Sequence, residues 1–235
     1  SGYVFTRGGN VYRQINPSAR ADYDRLVSSG LYEALVKTGD LVRHEEVDAS
    51  LSPDGQAYRV IRPDRVRFIS YPYEWCFSQL KDAARLTLRL QKAAIAHGMG
   101  LKDATPYNVA FSNGRPVWID TLSFEELKPE PWVAYAQFCQ MFLAPLALMS
   151  KVDIRLQQLL KSNIDGVPLD LASRLLPAST RLRPGLLMHL HLHAAAQRRL
   201  ATTNGSTLAN RSSKPFSRSA LTGLIDNLAG TVDRL

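Results

Sequence analysis

The spacing of hydrophobic residues changes close to residue 74, and this change limits the folds open to the chain. Before it, apolar and polar residues alternate in short runs separated by turn residues, which is typical of a small β-sheet. After it, apolar residues recur at helical spacing from Phe77 to Ile95, and the helix is expected to stop at His97-Gly98. We therefore predict an α+β protein, β-rich over residues 1–74 and mainly helical over 75–235.

The β-rich segment contains several turn and helix-entry signals. Residues 3–15 predict a β-hairpin around Gly8-Gly9-Asn10. Asn16-Pro17-Ser18 predicts the start of a helix, which is bent or broken at Ser28-Ser29-Gly30. Further strands are expected at residues 41–47, 57–62 and 66–71.

One stretch of the helical segment, Trp132 to Ser150, carries no charge and is almost long enough to cross a bilayer. Gln137, Gln140 and Pro145 interrupt it, so a buried central helix is favoured over a membrane span. A polar loop is expected at residues 202–219.

The charge balance and the cysteines restrict the compartment and the partners. With 29 Lys+Arg and 21 Asp+Glu the net charge is +8, but the excess is scattered. The acid-free stretch from Arg198 to Arg218 favours a solvated loop over a nucleic-acid arm, and polyanion binding is the weaker alternative. Cys76 and Cys139 show no motif spacing, and the N-terminus shows no signal-peptide pattern, which indicates a cytoplasmic protein.

A second hairpin is predicted around Asn113-Gly114, which lies between two apolar runs. Its two strands would bring Asn108 and Asp120 to the same edge, within reach of one cation. Asp103, five residues before Asn108, is expected to face the same point.

These three residues fit the requirements of ATP-dependent phosphoryl transfer, which depends mainly on positioning and charge neutralisation. Asp103 would orient the substrate hydroxyl as catalytic base, while Asn108 and Asp120 would bind Mg²⁺ through hard oxygen ligands. The alternative is structural: Asp103 caps a loop, Asn108 satisfies backbone groups and Asp120 starts a turn.

The motifs of this region resemble those of the protein-kinase-like superfamily, including aminoglycoside-type phosphotransferases. "KDATPYN" stands where the catalytic-loop Asp-x-x-x-x-Asn would lie, and "IDTLSF" where the metal-binding Asp would follow. The resemblance implies a two-lobed protein-kinase-like fold with an N-lobe at 1–74 and a C-lobe at 75–235, whose catalytic-loop hairpin occupies 100–124. It also implies ATP and Mg²⁺ as cofactors, and a small-molecule or protein hydroxyl as substrate.

Two stretches, "ISYPYEWCFSQLKDAA" and "GLKDATPYNVAFSNGRPVWIDTLSFE", are similar to the N-terminal region of bacterial proteins usually labelled SAM-dependent methyltransferases, some of nodulation type. In that group a kinase-like region precedes a methyltransferase domain. The present chain has no Gly-x-Gly-like turn with an acidic ribose ligand, so methyltransferase activity is expected in a C-terminal domain outside it.

The sequence also departs from the kinase pattern. Gly100-Leu101-Lys102 replaces the usual residues before the catalytic Asp, and no Gly-x-Gly-x-x-Gly loop is present. Arg13 is the nearest replacement for the N-lobe lysine, with Asp24 or Glu33 as its partner, and Lys102 is the other candidate for nucleotide phosphate binding. These departures support a second hypothesis, an inactive kinase-like module that binds a substrate or partner for the methyltransferase domain.

Two further clusters have competing interpretations. His189, His191 and His193 could hold a metal, but no acidic or cysteine ligand lies nearby in sequence, which favours packing or surface histidines. The aromatic residues of "YPYEW" (71–75) could stack on a nucleobase, although alternating aromatic residues more often pack in a core.

Overall fold

A four-stranded antiparallel sheet forms the N-terminal part of the computed structural model, which describes residues 1–202 and 216–235. Its strands are β1 (Val4–Arg7), β2 (Asn10–Ile15), β3 (His44–Val47) and β4 (Arg59–Pro63). They lie in the order β1-β2-β4-β3. The predicted β1–β2 hairpin is confirmed, with Gly8 and Gly9 at positive φ, where a residue with a Cβ would be strained.

Two helices, α1 (Arg20–Ser28) and α2 (Leu31–Thr38), connect β2 to β3. The predicted break between them is confirmed, because Gly30 has a φ of 77°. The strand expected at 41–47 is shorter and forms at His44–Val47, and the strand expected at 57–62 is shifted and forms at Arg59–Pro63.

The prediction of a strand at 66–71 is wrong. This segment leaves the sheet after β4, and among the described residues it forms no ladder; the side chains of Phe68 and Ile69 are 74% and 47% exposed. Alternation alone does not make a strand, because the backbone also needs a partner to satisfy its hydrogen bonds.

The long helix α3 (Phe77–Ala96) ends where predicted, with Gly98 at a φ of 72°. Two small antiparallel pairs follow it: β5 (Met99–Leu101) with β8 (Phe124–Glu126), and β6 (Val109–Ser112) with β7 (Arg115–Trp118). The predicted β6–β7 hairpin is confirmed, and it turns at Asn113 and Gly114, which are both at positive φ.

The segment with no charge at residues 132–150 is helical and largely buried, as predicted. It consists of α4 (Tyr135–Phe138), a π-helical turn at Cys139–Leu143, and α5 (Ala144–Lys151). In the described parts of the chain, no helix combines the length and apolarity that crossing a bilayer requires.

The remaining helices follow this segment along the chain. They are α6 (Leu159–Ser162), α7 (Leu169–Leu175), α8 (Pro184–Leu186), α9 (His193–Thr202) and α10 (Arg218–Asp233). Helix α10 packs along α3, with ion pairs Lys92–Asp226 and Arg85–Asp233, both at 2.7 Å. Most of the predicted polar loop at 202–219 lies outside the described residues, but its C-terminal end is helical because Ser217 caps α10.

Residues from both sides of position 74 share the larger hydrophobic core. Leu26 and Leu31 of the N-terminal helices join the same buried cluster as Leu80 of α3 and Phe142 of the central helix. A smaller cluster under the sheet contains Ile15, Ala19, Tyr23, Ile61 and Leu122.

The connection between α2 and β3 is also attached to the β6–β7 hairpin. Val42 donates its N–H to the carbonyl of Trp118, whose own N–H donates to the carbonyl of Asp40, both at 2.8 Å. The N-terminal part of the chain thus holds the hairpin two residues before Asp120.

Candidate functional site

Two nested strand pairings close the loop that carries the predicted site residues. The inner pair, β6–β7, is extended by a 2.9 Å hydrogen bond from Ile119 N to the carbonyl of Asn108. The outer pair, β5–β8, is extended by a 2.9 Å bond from Lys102 N to the carbonyl of Ser123. Asn108 and Asp120 are consequently brought to one edge of the hairpin, as the sequence predicts.

Asp120 caps a single 3₁₀ turn, Thr121–Ser123, by accepting a 2.8 Å hydrogen bond from Leu122 N at its Oδ1. The same oxygen lies 2.8 Å from the Arg13 guanidinium, and each side chain of this ion pair is 18% exposed. Among the described residues, no hydrogen bond engages Oδ2 of Asp120. The structural role and a ligand role are therefore compatible, since they use different oxygens.

Asn108 ends the 3₁₀ turn Pro106–Asn108 and is bound to the turn that Asp120 caps. Its Nδ2 donates to Ser123 Oγ at 3.1 Å. Within the described residues, its Oδ1 has no hydrogen-bond partner. An amide oxygen and a carboxylate oxygen on neighbouring turns are suitable ligands for Mg²⁺.

Asp103 and Lys102 lie between β5 and the turn at Pro106–Asn108, and both are partly buried. No hydrogen bond or ion pair to a described residue engages either charged group. The next residue is fixed, because Ala104 N donates to Gln137 Oε1 at 2.7 Å. The Asp103 carboxylate is thus free to accept a proton or a hydrogen bond from a ligand.

Arg13 lies on β2 opposite Ile61 of β4. The predicted partners Asp24 and Glu33 are wrong: Arg13 pairs with Asp120, whereas Asp24 pairs with Arg20 and accepts a hydrogen bond from Tyr58. The Arg13 side chain reaches the loop after β7 instead of helix α1. Its Nε is buried and has no hydrogen-bond partner among the described residues.

A buried polar network next to Asp120 was missed by the sequence analysis. His44, which is 8% exposed, contacts Tyr23 Oη at 3.1 Å through Nε2 and Thr121 Oγ1 at 3.4 Å through Nδ1. Burial lowers the pKa of His44 to about 4, against an opposing effect of Glu46. The available signal was the run of polar residues His44-Glu45-Glu46 in a strand: because successive side chains point to opposite faces, at least one of them must face inward.

The aromatic residues at 71–75 divide into two groups. Trp75 belongs to the core, where it is 1% exposed and makes an edge contact with Phe111. Tyr71 and Tyr73 instead stack on each other, with ring centroids 5.5 Å apart, and line a cavity.

The histidine cluster packs inside the helical part. His189 contacts Tyr135 and Asn227 at 2.8 Å each, and His191 contacts Ser173 and Thr180 at 2.8 and 2.9 Å. The packing interpretation is confirmed for His189 and His191, both of which are buried. No group of three or more possible metal ligands occurs in residues 1–202 and 216–235.

Comparison with known proteins links the chain to a nodulation protein. Nodulation protein NoeA of Rhizobium meliloti (strain 1021) is 33% identical to it over 237 residues, which cover 98% of the chain. The chain spans about half the length of this relative, 49%. No family model matches the sequence.

Proposed function

We propose that this chain is a kinase-like phosphotransferase domain that transfers the γ-phosphoryl group of ATP to a hydroxyl group. The observation that carries the proposal is the pattern of unused oxygens. Asp103, Asn108 and Asp120 lie on one doubly closed loop, and each keeps at least one side-chain oxygen without a hydrogen-bond partner among the described residues. Phosphoryl transfer requires such prearranged groups more than it requires covalent chemistry.

Each residue has a role in this proposal. Asn108 Oδ1 and Asp120 Oδ2 would hold Mg²⁺, which when bound neutralises phosphate charge. Asp103 accepts the hydrogen bond of the substrate hydroxyl and takes its proton. Lys102 and Arg13 supply positive charge for the nucleotide phosphates, because the sequence has no Gly-rich loop to bind them.

The second candidate function is an inactive kinase-like module that binds a substrate or partner for a SAM-dependent methyltransferase domain. The Arg13–Asp120 ion pair favours it, because the guanidinium already neutralises the carboxylate that a metal ion would need. NoeA is about twice as long as the chain, and this length is compatible with a further domain in the whole protein. The free cysteines, one buried and one exposed, support our proposal of a cytoplasmic location for either candidate.

Thermal unfolding with and without ATP and Mg²⁺ separates the two functions. A ligand at about a hundred times its Kd stabilises a protein by about 2.7 kcal/mol, which is a rise in Tm of roughly 5 to 10 °C for a chain of this size. We expect this rise in the wild-type protein and its loss in Asp120→Asn.

Asp40→Asn is the matched control for this experiment. Asp40 is 19% exposed and pairs with Arg89 at 2.8 Å, so it resembles Asp120 in burial and pairing but lies outside the site. Equal responses of the two variants, or no response of the wild-type protein, would refute the phosphotransferase proposal.

A further inference from the structure

A cavity of about 490 Å³ lies beside the candidate catalytic loop. It is bounded by the segment before α3, by the turn that follows Asp103, and by the helical part of the chain. The residues that line it are Tyr71, Tyr73, Thr105, Tyr107, Gln137, Met141, Ile164 and Asp165. Its size is that of a pocket for a small organic molecule.

The cavity adjoins the proposed catalytic base through two of its lining residues. Thr105 lies two positions after Asp103, and its Oγ1 accepts a hydrogen bond from Tyr107 N. Gln137 accepts the 2.7 Å bond from Ala104 N at its Oε1. A ligand in this cavity would therefore lie against the same loop that presents the Asp103 carboxylate.

The lining combines flat aromatic surface with unused polar groups. The rings of Tyr71 and Tyr73 are nearly parallel, at an angle of 13°, and Tyr71 is 46% exposed. The Gln137 amide keeps its Nε2 protons, and neither these nor the Asp165 carboxylate has a partner among the described residues. Burial, with smaller contributions from Tyr73 and Asp165, raises the pKa of Tyr107, so its phenol remains a hydrogen-bond donor.

The charge of the described lining residues argues against a phosphate-binding role. Among the described residues, the lining contains no Lys or Arg, and the charged residue that it does contain is the acidic Asp165. Nucleotide phosphates would be repelled here, whereas a neutral molecule with several hydroxyls could use Asp165 as acceptor and Gln137 and Tyr107 as donors. The C–H face of a sugar ring is apolar and packs against aromatic rings.

We propose that this cavity binds a neutral saccharide, with one sugar face against the Tyr71–Tyr73 pair and its hydroxyls hydrogen-bonded to Gln137, Tyr107 and Asp165. That the saccharide supplies the hydroxyl that accepts the phosphoryl group rests on the function proposed above. The binding itself does not.

Saturation-transfer NMR with glucose, N-acetylglucosamine and cellobiose tests the assignment without ATP. We expect at least one of these saccharides to bind, and its affinity to fall at least tenfold in Tyr71→Ala and in Asp165→Asn. Tyr3→Ala is the control, because Tyr3 is a similarly exposed tyrosine, 38%, that contacts another aromatic ring outside the cavity.

Three results would overturn the saccharide site: none of the three sugars binds, the cavity variants bind as well as Tyr3→Ala, or ATP with Mg²⁺ displaces the sugar. Failure of the phosphotransferase proposal looks different. A protein that binds the saccharide but is not stabilised by ATP and Mg²⁺ keeps the cavity assignment and loses the catalytic one.

Discussion

The Arg13–Asp120 ion pair should contribute measurably to stability, and a double-mutant cycle with Arg13→Gln, Asp120→Asn and the double variant isolates that contribution. Both side chains are only 18% exposed and their charged atoms are 2.8 Å apart. Two unit charges at about 4 Å attract by about 4 kcal/mol at the effective dielectric constant of a protein surface, before desolvation is subtracted. Exposed pairs are worth up to about 1 kcal/mol, so we expect a coupling energy of about 2 kcal/mol for this partly buried pair.

The two single variants should differ in cost. Asp120→Asn leaves the largely buried Arg13 guanidinium without its carboxylate, and the Nε of this group already has no hydrogen-bond partner among the described residues. Arg13→Gln is milder, because Asp120 still accepts the hydrogen bond from Leu122 N. The free energy of unfolding of all four proteins, measured in urea, gives both the coupling and this order.

The Arg89–Asp40 pair supplies the comparison cycle. Its length is the same, 2.8 Å, but the Arg89 side chain is 54% exposed, so its coupling should stay below about 1 kcal/mol. A coupling at Arg13–Asp120 no larger than at Arg89–Asp40 would refute the argument that burial strengthens the first pair.

Two further predictions concern stability. His44→Gln should flatten the pH dependence of the free energy of unfolding between about pH 4 and 6.5. Burial lowers the pKa of His44 in the folded protein, so in this window the unfolded chain binds a proton that the folded protein does not. The wild-type protein therefore loses up to about 3 kcal/mol of stability as the pH falls through this window, and the variant does not. Equal slopes in urea titrations of the two proteins at several pH values would contradict this. Gly185→Ala should destabilise the protein by about 1–3 kcal/mol, because its new Cβ would overlap the Thr231 side chain of α10. Gly223→Ala should instead stabilise α10 by about 0.5–1 kcal/mol, because, apart from its chain neighbours and the backbone of its own helix, no atom of a described residue lies within 4 Å of its new Cβ. Thermal unfolding of both glycine variants checks the opposite signs.

Local chemistry explains which parts of the fold could be predicted from the sequence. Asn113-Gly114 and Gly30 mark positions that need positive φ, and the structure has it at each. The apolar face of α3 follows from helical spacing alone. Residues 66–71 had the alternation of a strand, but whether such a segment finds a partner depends on the remainder of the sheet.

The candidate site was predictable only in part, for the same reason. Asn108 and Asp120 are only 12 positions apart, so the local β6–β7 hairpin is enough to bring them together. The pairing of Arg13 with Asp120 joins residues 107 positions apart, and no spacing rule indicated it. The Tyr71–Tyr73 cavity likewise depends on Gln137 and Asp165, which reach it only through the tertiary packing of the helical part.

The attachment of residues 40–42 to Trp118 affects how a ligand could enter. To swing the N-terminal sheet and helices away from the hairpin, the protein would have to break both 2.8 Å backbone bonds at Trp118 together with the Arg13–Asp120 and Arg25–Glu126 contacts. We expect access to Asp120 to depend on rotation of one arginine side chain, a fast and local event, instead of on slow opening of two rigid halves.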